Sequence, residues 1–270
     1  MIEWNVDPEI VRIGFISLRY YSLMFMLSFL IGIYIFNWIY QKENKPKADL
    51  DPLLIHMLLG TIIGARLGHC LFYDPAYYLS HPVKILYVWE GGLASHGAAI
   101  GILLSLYLFS RKRPDQPFLW VVDRMVITVA LAGCFIRLGN LFNSEILGKP
   151  ADVPWAFIFI RVDQIPRHPT QIYEALAYLI IFFILFFIYK KRGSILPRGY
   201  LLGLFLILVF GFRFFVEFFK EIQSDFEAGM VLNMGQLLSI PAVIGGLVLI
   251  LRAKEPAKPE DGSFRKKHKS

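Results

Sequence analysis

The chain has 270 residues, 56% of them hydrophobic and 16% aromatic, and only 18% are charged. Its mean hydropathy is +0.53 and its apolar residues run in long blocks, which excludes a soluble domain of this size. A net charge of +7 would suggest a nucleic-acid partner in a soluble protein; here its distribution reports orientation, and no nucleic acid is expected.

The opening "MIEWNVDPEIVRIGF" is acidic and lacks the basic start of a cleaved signal peptide. Helices of about 20 apolar residues cross a bilayer core of about 30 Å, and seven such spans are predicted at 18–39, 52–72, 86–109, 118–139, 171–189, 199–219 and 234–251. The predicted fold is an all-α integral membrane protein: a single polytopic domain over 1–251 and a basic, disordered tail over 252–270. Cys70 and Cys134 lie inside predicted spans and form no thiol metal site. Two connections are long. Residues 73–85, "YDPAYYLSHPVKI", read as an interfacial arm, and 140–170 read as a small external head, with "WAFIFIRVD" alternating as short strands do. No internal repeat suggests the duplicated halves of many transporters.

Basic residues concentrate in the connections 41–51, 110–117 and 190–198 and in the tail after 251. The positive-inside rule therefore predicts an outside N-terminus and a cytoplasmic C-terminus, which an odd number of spans satisfies. With that topology the ionisable residues within spans collect at one depth. Tyr21, Arg66, His69, His96, Arg137, Asn140, Gln171, Glu174, Arg213 and Glu217 all fall in the outer half, with Asn143, Ser144 and Glu145 following. His96 is placed about ten residues into its span, roughly 15 Å deep at 1.5 Å per residue. Asp123 and Arg124 are the exception, close enough to the cytoplasmic face to snorkel.

Each of these has a bland explanation. Arg213 and Glu217 are i,i+4 and neutralise each other. Glu174 complements a helix N-terminus, and His69 and Tyr21 anchor at the interface. The glycines around His96 pack helices closely. Convergence is what argues against the set of them. Polar groups in a membrane need a partner or a wet cavity, and several arginines at one depth imply an anion-attracting cavity facing the outer leaflet. Arginine's planar fork suits phosphate, and Arg137 with Asn140, at i,i+3, share a helix face. A cavity open to lipid with such a lining points to a phospholipid headgroup as substrate. His96 supplies a candidate general base.

The stretches "LRYYSLMF" (18–25), "GARLGHCLFYDP" (64–75), "EGGLASHGAAIG" (90–101), "RLGNLFNSEILGKP" (137–150), "RHPTQIYEAL" (167–176) and "FGFRFFVEFFKE" (210–221) together resemble the prolipoprotein diacylglyceryl transferases of the bacterial inner membrane. The resemblance implies transfer of the sn-1,2-diacylglyceryl group of phosphatidylglycerol to the lipobox cysteine of a prolipoprotein signal peptide. Glycerol 1-phosphate leaves, and neither metal nor cofactor takes part. It implies that Arg137 and Asn140 hold the lipid phosphate, with Arg66 also on the lipid. Arg213, partnered by Glu217, stabilises charge on the leaving phosphate. Glu145 and Gly148 shape the mouth of the site, Gly148 as a turn into the head, and Tyr21 lines it. His96 takes the thiol proton or assists a neighbour that does; the base is left open between them.

Three other readings are weaker. The His69–Asp74 spacing resembles glycerolipid acyltransferases but straddles a span end. Ser95 and His96 are sequence neighbours that diverge by about 100° on a helix and form no protease dyad. A transporter or flippase for an anionic substrate would also use an arginine cavity, but lacks repeats and an inner polar path.

Overall fold

The computed structural model describes residues 1–14, 16–222, 227 and 229–253. The tail expectation, beyond its first two residues, lies outside them. The chain order is β1 (Ile2–Trp4), β2 (Glu9–Ile13), β3 (Ile16–Arg19), α1 (Tyr20–Lys42), α2 (Leu50–Phe72), α3 (Pro75–Ser80) and α4 (Ser95–Arg111). It continues with α5 (Phe118–Asn143), β4 (Phe157–Phe159), β5 (Pro166–Arg167), α6 (Thr170–Arg192), α7 (Tyr200–Val216) and α8 (Met234–Arg252).

Among the described residues, six helices are long and apolar enough to cross a membrane: α1, α2, α5, α6, α7 and α8. The expected span at 86–109 is realised differently. Its helix, α4, starts only at Ser95 and has 17 residues. Short 3-10 turns from Pro82 to Glu90 precede it. Gly91 and Gly92 then break the chain with φ of +85° and +66°, a region that side chains with a Cβ rarely enter.

α5 is the most buried of these helices. α1 and α6 flank it, and the remaining helices pack in pairs, α2 with α4 and α7 with α8. The core between them is apolar, with Ile39, Leu106, Ile127 and Leu185 fully buried. Glycines bring α2 and α4 into backbone contact: a Cβ on Gly64 would lie 2.5 Å from the Gly97 carbonyl.

At one end of the bundle, β1, β4 and β5 form a sheet in the order β1-β4-β5, with β1 parallel to β4 in the register Ile2 to Phe157. The alternation in "WAFIFIRVD" thus emerges as β4, but its neighbour comes from the chain's start. Trp4 ties the sheet to α5 by donating from Nε1 to the Leu141 carbonyl at 3.0 Å. β2 and β3 make a separate hairpin leading into α1.

The opposite end is closed by buried polar groups. Arg124 does not snorkel. It is fully buried, donates to both oxygens of Glu43 at 3.0 and 3.2 Å, and lies over the Trp120 ring. Trp120 Nε1 and the Tyr189 hydroxyl donate to the same carboxylate, each at 2.7 Å. Asp123 accepts from the backbone N–H groups of Gly199 and Leu202, satisfying orphan donors at the start of α7. One carboxylate thus joins α1, α5 and α6, and another joins α5 to α7.

Candidate active site

A cavity of about 590 Å³ opens at the end of the bundle that carries the sheet. The C-terminal ends of α5 and α7 and the N-terminal ends of α1, α4 and α8 surround it. Tyr21, His96, Arg137, Asn140, Arg213 and Glu217 all line it, together with Tyr73, Tyr178, Lys220, Glu221 and Glu227. The structure therefore brings together six of the nine site residues read from the sequence. The other three are placed as follows.

Arg66 is not in the cavity wall. It is buried, and its guanidinium donates to the carbonyls of Lys84, Ile85, Gly91 and Gly92 at 2.6 to 3.3 Å. Four of its five N–H donors go to the non-helical segment before α4, so in place of the expected lipid contact the structure shows it holding that segment. Glu145 stands behind the lining. Asn140 and Asn143 each donate to its carboxylate at 3.2 Å. Gly148 is no left-handed turn; its φ is not among the positive ones. It sits where three backbones meet. Gly148 bridges Lys220, and Pro150 bridges Arg167. Lys149 donates from its backbone to Phe219 at 2.7 Å, and Glu221 to Leu147 at 3.1 Å. A Cβ on Gly148 would press into the His168 carbonyl and lie 2.8 Å from the His168 Cβ. This small ladder joins the segments that follow α5 and α7 to the one that precedes α6.

The turn leaving α5 is strained as well. Ser144 and Ile146 have φ of +55° and +56°, and for a β-branched residue this region costs about 1–3 kcal/mol. Side chains opening α6 hold the turn: Gln171 donates to the Glu145 carbonyl at 2.6 Å and Thr170 to that of Ile146 at 3.2 Å. Ile146 lines the cavity, so the strained turn forms part of its wall.

The wall's charges form a chain. Arg137 donates to Asn140 Oδ1 at 3.4 Å, and its Nε lies 3.2 Å from Glu174 Oε2. Glu174 is fully buried and also accepts from the Tyr178 hydroxyl at 3.1 Å. Lys220 Nζ lies 3.0 Å from Glu174 and 2.9 Å from Glu217. Glu217 accepts from Asn233 at 3.1 Å and pairs loosely with Arg213 at 3.5 Å. Arg213 Nε is buried without a hydrogen-bond partner among the described residues. That N–H faces Glu217 at 3.5 Å without forming a hydrogen bond, so its hydrogen-bonding capacity beside the cavity is unspent.

Glu174 therefore does more than complement a helix N-terminus: it is the centre of this chain. Lys220, Tyr178 and Asn233 were missed by the sequence reading. The signal for Lys220 was its i,i+3 spacing from Glu217, which puts both on one face. His96 is in the first turn of α4 rather than deep in a span, because the helix starts late. It is exposed at the cavity, with the rings of Phe72 and Tyr73 at 5.3 and 5.9 Å. Beyond the cavity, Arg167 is clamped by Asp163 and Glu221, and its guanidinium holds the Asp163 carboxyl below the usual carboxylate range. No cluster of three His, Cys, Asp or Glu residues able to hold a metal occurs among the described residues.

Fold and cavity define a polytopic membrane protein with an arginine-lined cavity at one end of its bundle. The chain belongs to the prolipoprotein diacylglyceryl transferase family, which matches residues 8–252. A phosphatidylglycerol–prolipoprotein diacylglyceryl transferase of Tolumonas auensis is 48% identical over 96% of this chain and 100% of its own length. Those of Chloroherpeton thalassium and Bacteroides fragilis are 50% and 47% identical, over 97% and 91% of this chain and 98% and 93% of their own lengths. The chain is thus a transferase of a bacterial multi-pass membrane family.

Proposed function

We propose that this protein transfers the sn-1,2-diacylglyceryl group of phosphatidylglycerol to the lipobox cysteine of prolipoproteins, the first step of lipoprotein maturation. The observation that carries the reading is the pair of arginines, 137 and 213, lining one cavity, the second only loosely paired with Glu217 and with a buried N–H that makes no hydrogen bond. The lipid phosphodiester sits between them, with Asn140 beside Arg137. The thiolate is the nucleophile. It attacks the glyceryl carbon, a C–S bond forms, and the C–O bond to phosphate breaks, so glycerol 1-phosphate leaves with both electrons. Arg213, oriented by Glu217, meets the charge that grows on that leaving oxygen. His96, at the rim, takes the thiol proton directly or through water. Tyr21 lines the lipid's path, while Glu145 and Gly148 fix the wall from behind.

The cavity and sheet face outward from the inner membrane, with the N-terminus outside and the C-terminus cytoplasmic. The basic residues at the far ends of α1, α4, α6 and α8 support this orientation, as does the emergence of lipobox peptides at the outer face. A transporter or flippase reading is not favoured, since the far end is closed by the Glu43–Arg124 pair.

The test uses purified protein in detergent with phosphatidylglycerol and a lipobox peptide carrying cysteine or serine. Glycerol phosphate release with cysteine alone, lost in Arg137→Ala, is the expected result. Release with neither peptide from folded protein would overturn the reading.

A further inference from the structure

The cavity wall contains a charge whose role the proposed chemistry does not use. Lys220 lines the cavity and is 3% exposed. It lies between two carboxylates, 3.0 Å from Glu174 and 2.9 Å from Glu217. Those are the same carboxylates that contact Arg137 and Arg213. The ladder through Gly148 and Lys149 fixes its backbone, so its place between them is built into the fold.

Within the wall, five charged groups form a chain of contacts, Arg137, Glu174, Lys220, Glu217 and Arg213, which makes three cations against two carboxylates; Glu221, paired with Arg167, and Glu227 line the cavity outside this chain. One positive charge is left over. A phosphodiester headgroup carries one negative charge, so bound lipid makes the cluster neutral. Without Lys220 the chain would be two arginines against two carboxylates and would hold no surplus charge for the lipid.

We infer that Lys220 is a positioning and specificity-determining residue: by sharing Glu174 and Glu217 with Arg137 and Arg213 it loosens the hold of each carboxylate on its arginine, and it gives this chain of charges the one surplus positive charge that a lipid phosphodiester meets. The inference rests on the proposed diacylglyceryl transfer for its substrate, and deepens it by tying headgroup selection to a residue that makes no contact with the reacting atoms.

Two readouts test it: steady-state glycerol phosphate release in mixed micelles of varied phosphatidylglycerol content, and equilibrium binding of a fluorescent phosphatidylglycerol to the same proteins. Lys220→Arg keeps the charge and is expected to keep KM and Kd within about threefold of wild type. Lys220→Gln makes the cluster neutral. A unit charge felt across about 6–8 Å at an effective dielectric near 20 is worth about 30- to 100-fold, so KM and Kd rise at least about tenfold after screening while kcat changes less. Lys220→Gln with Glu174→Gln restores the surplus charge and is expected to recover most of the lost affinity, which a purely structural lysine would not allow. Glu174→Gln alone leaves two surplus charges. It tightens phosphatidylglycerol binding and slows release of dianionic glycerol phosphate, and it decides the matter if Lys220→Gln does not fold. Affinity unchanged in Lys220→Gln, unrecovered in the double variant, or unchanged in Glu174→Gln would overturn the inference. Failure of wild-type protein to release glycerol phosphate would instead count against the transferase reading, and the binding series would still decide the role of Lys220.

Discussion

Replacing Gly148 by alanine adds one methyl group where three backbones meet. The new Cβ has no free space, because the atoms in its way are the His168 carbonyl and Cβ, not the far end of a flexible side chain. Relief requires the 147–149 segment to move off 166–168, which strains the bonds from Lys149 to Phe219, Glu221 to Leu147 and His168 to Lys149. Overpacking costs about 1–3 kcal/mol, and weakening these bonds adds about 1 kcal/mol for each one lost. A total near 3 kcal/mol corresponds to a Tm lower by roughly 6–12 °C for a chain of this size. Lys220 rides on the same ladder, so a shift of about 1 Å there displaces the wall charges and costs about a hundredfold in rate. Differential scanning fluorimetry in detergent gives the first quantity and glycerol phosphate release the second. A Gly148→Ala protein with unchanged Tm and activity within threefold of wild type would refute the reasoning.

Arg66→Met is expected to free the carbonyls between residues 84 and 92. Hydrogen exchange should then accelerate in 84–94 and stay unchanged in α5 and α7; protection retained in 84–94 would show that the segment holds itself. Glu43→Gln leaves buried Arg124 with Asp123, 4.0 Å away, as its remaining carboxylate, at a cost of up to about 3–5 kcal/mol. Thermal stability should fall while the KM of the folded fraction is unchanged, and an unchanged Tm would contradict this. The hydrogen bond from Arg167 lowers the folded pKa of Asp163, so its stabilisation is fully present above the unfolded value of about 3.9. It is lost as pH falls through the folded value. Protection of 157–167 should therefore decline below about pH 4 and be flat from about pH 5 to 7, whereas a decline near pH 6 would point to another group.

Much of the bundle could be read from the chain because each long helix must satisfy the bilayer on its own. The expected 118–139 and 234–251 became Phe118–Asn143 and Met234–Arg252. The late start of α4 was less legible, since "ILYVWEGGLAS" is apolar enough to continue a helix, and only the paired glycines and the Arg66 grip on their carbonyls end it. Pairing of β1 with β4 spans about 150 residues and leaves no local trace in three residues of chain. The site divides along the same line. Arg137, Asn140, Arg213 and Glu217 could be gathered by depth alone, because charge in a membrane demands explanation. Depth does not say which way a side chain points. That is why Arg66, at the right level, proved to hold backbone, and Lys220, counted with a connection, proved to sit between the two buried carboxylates.

The most direct measurement is a crystal structure of the protein with phosphatidylglycerol bound and no peptide present. The expected result is a phosphate within hydrogen-bond distance of both Arg137 and Arg213, its glyceryl carbon turned toward the His96 rim. A phosphate bound elsewhere, with the arginine wall occupied only by water, would contradict the assignment of the cavity as the seat of the reaction.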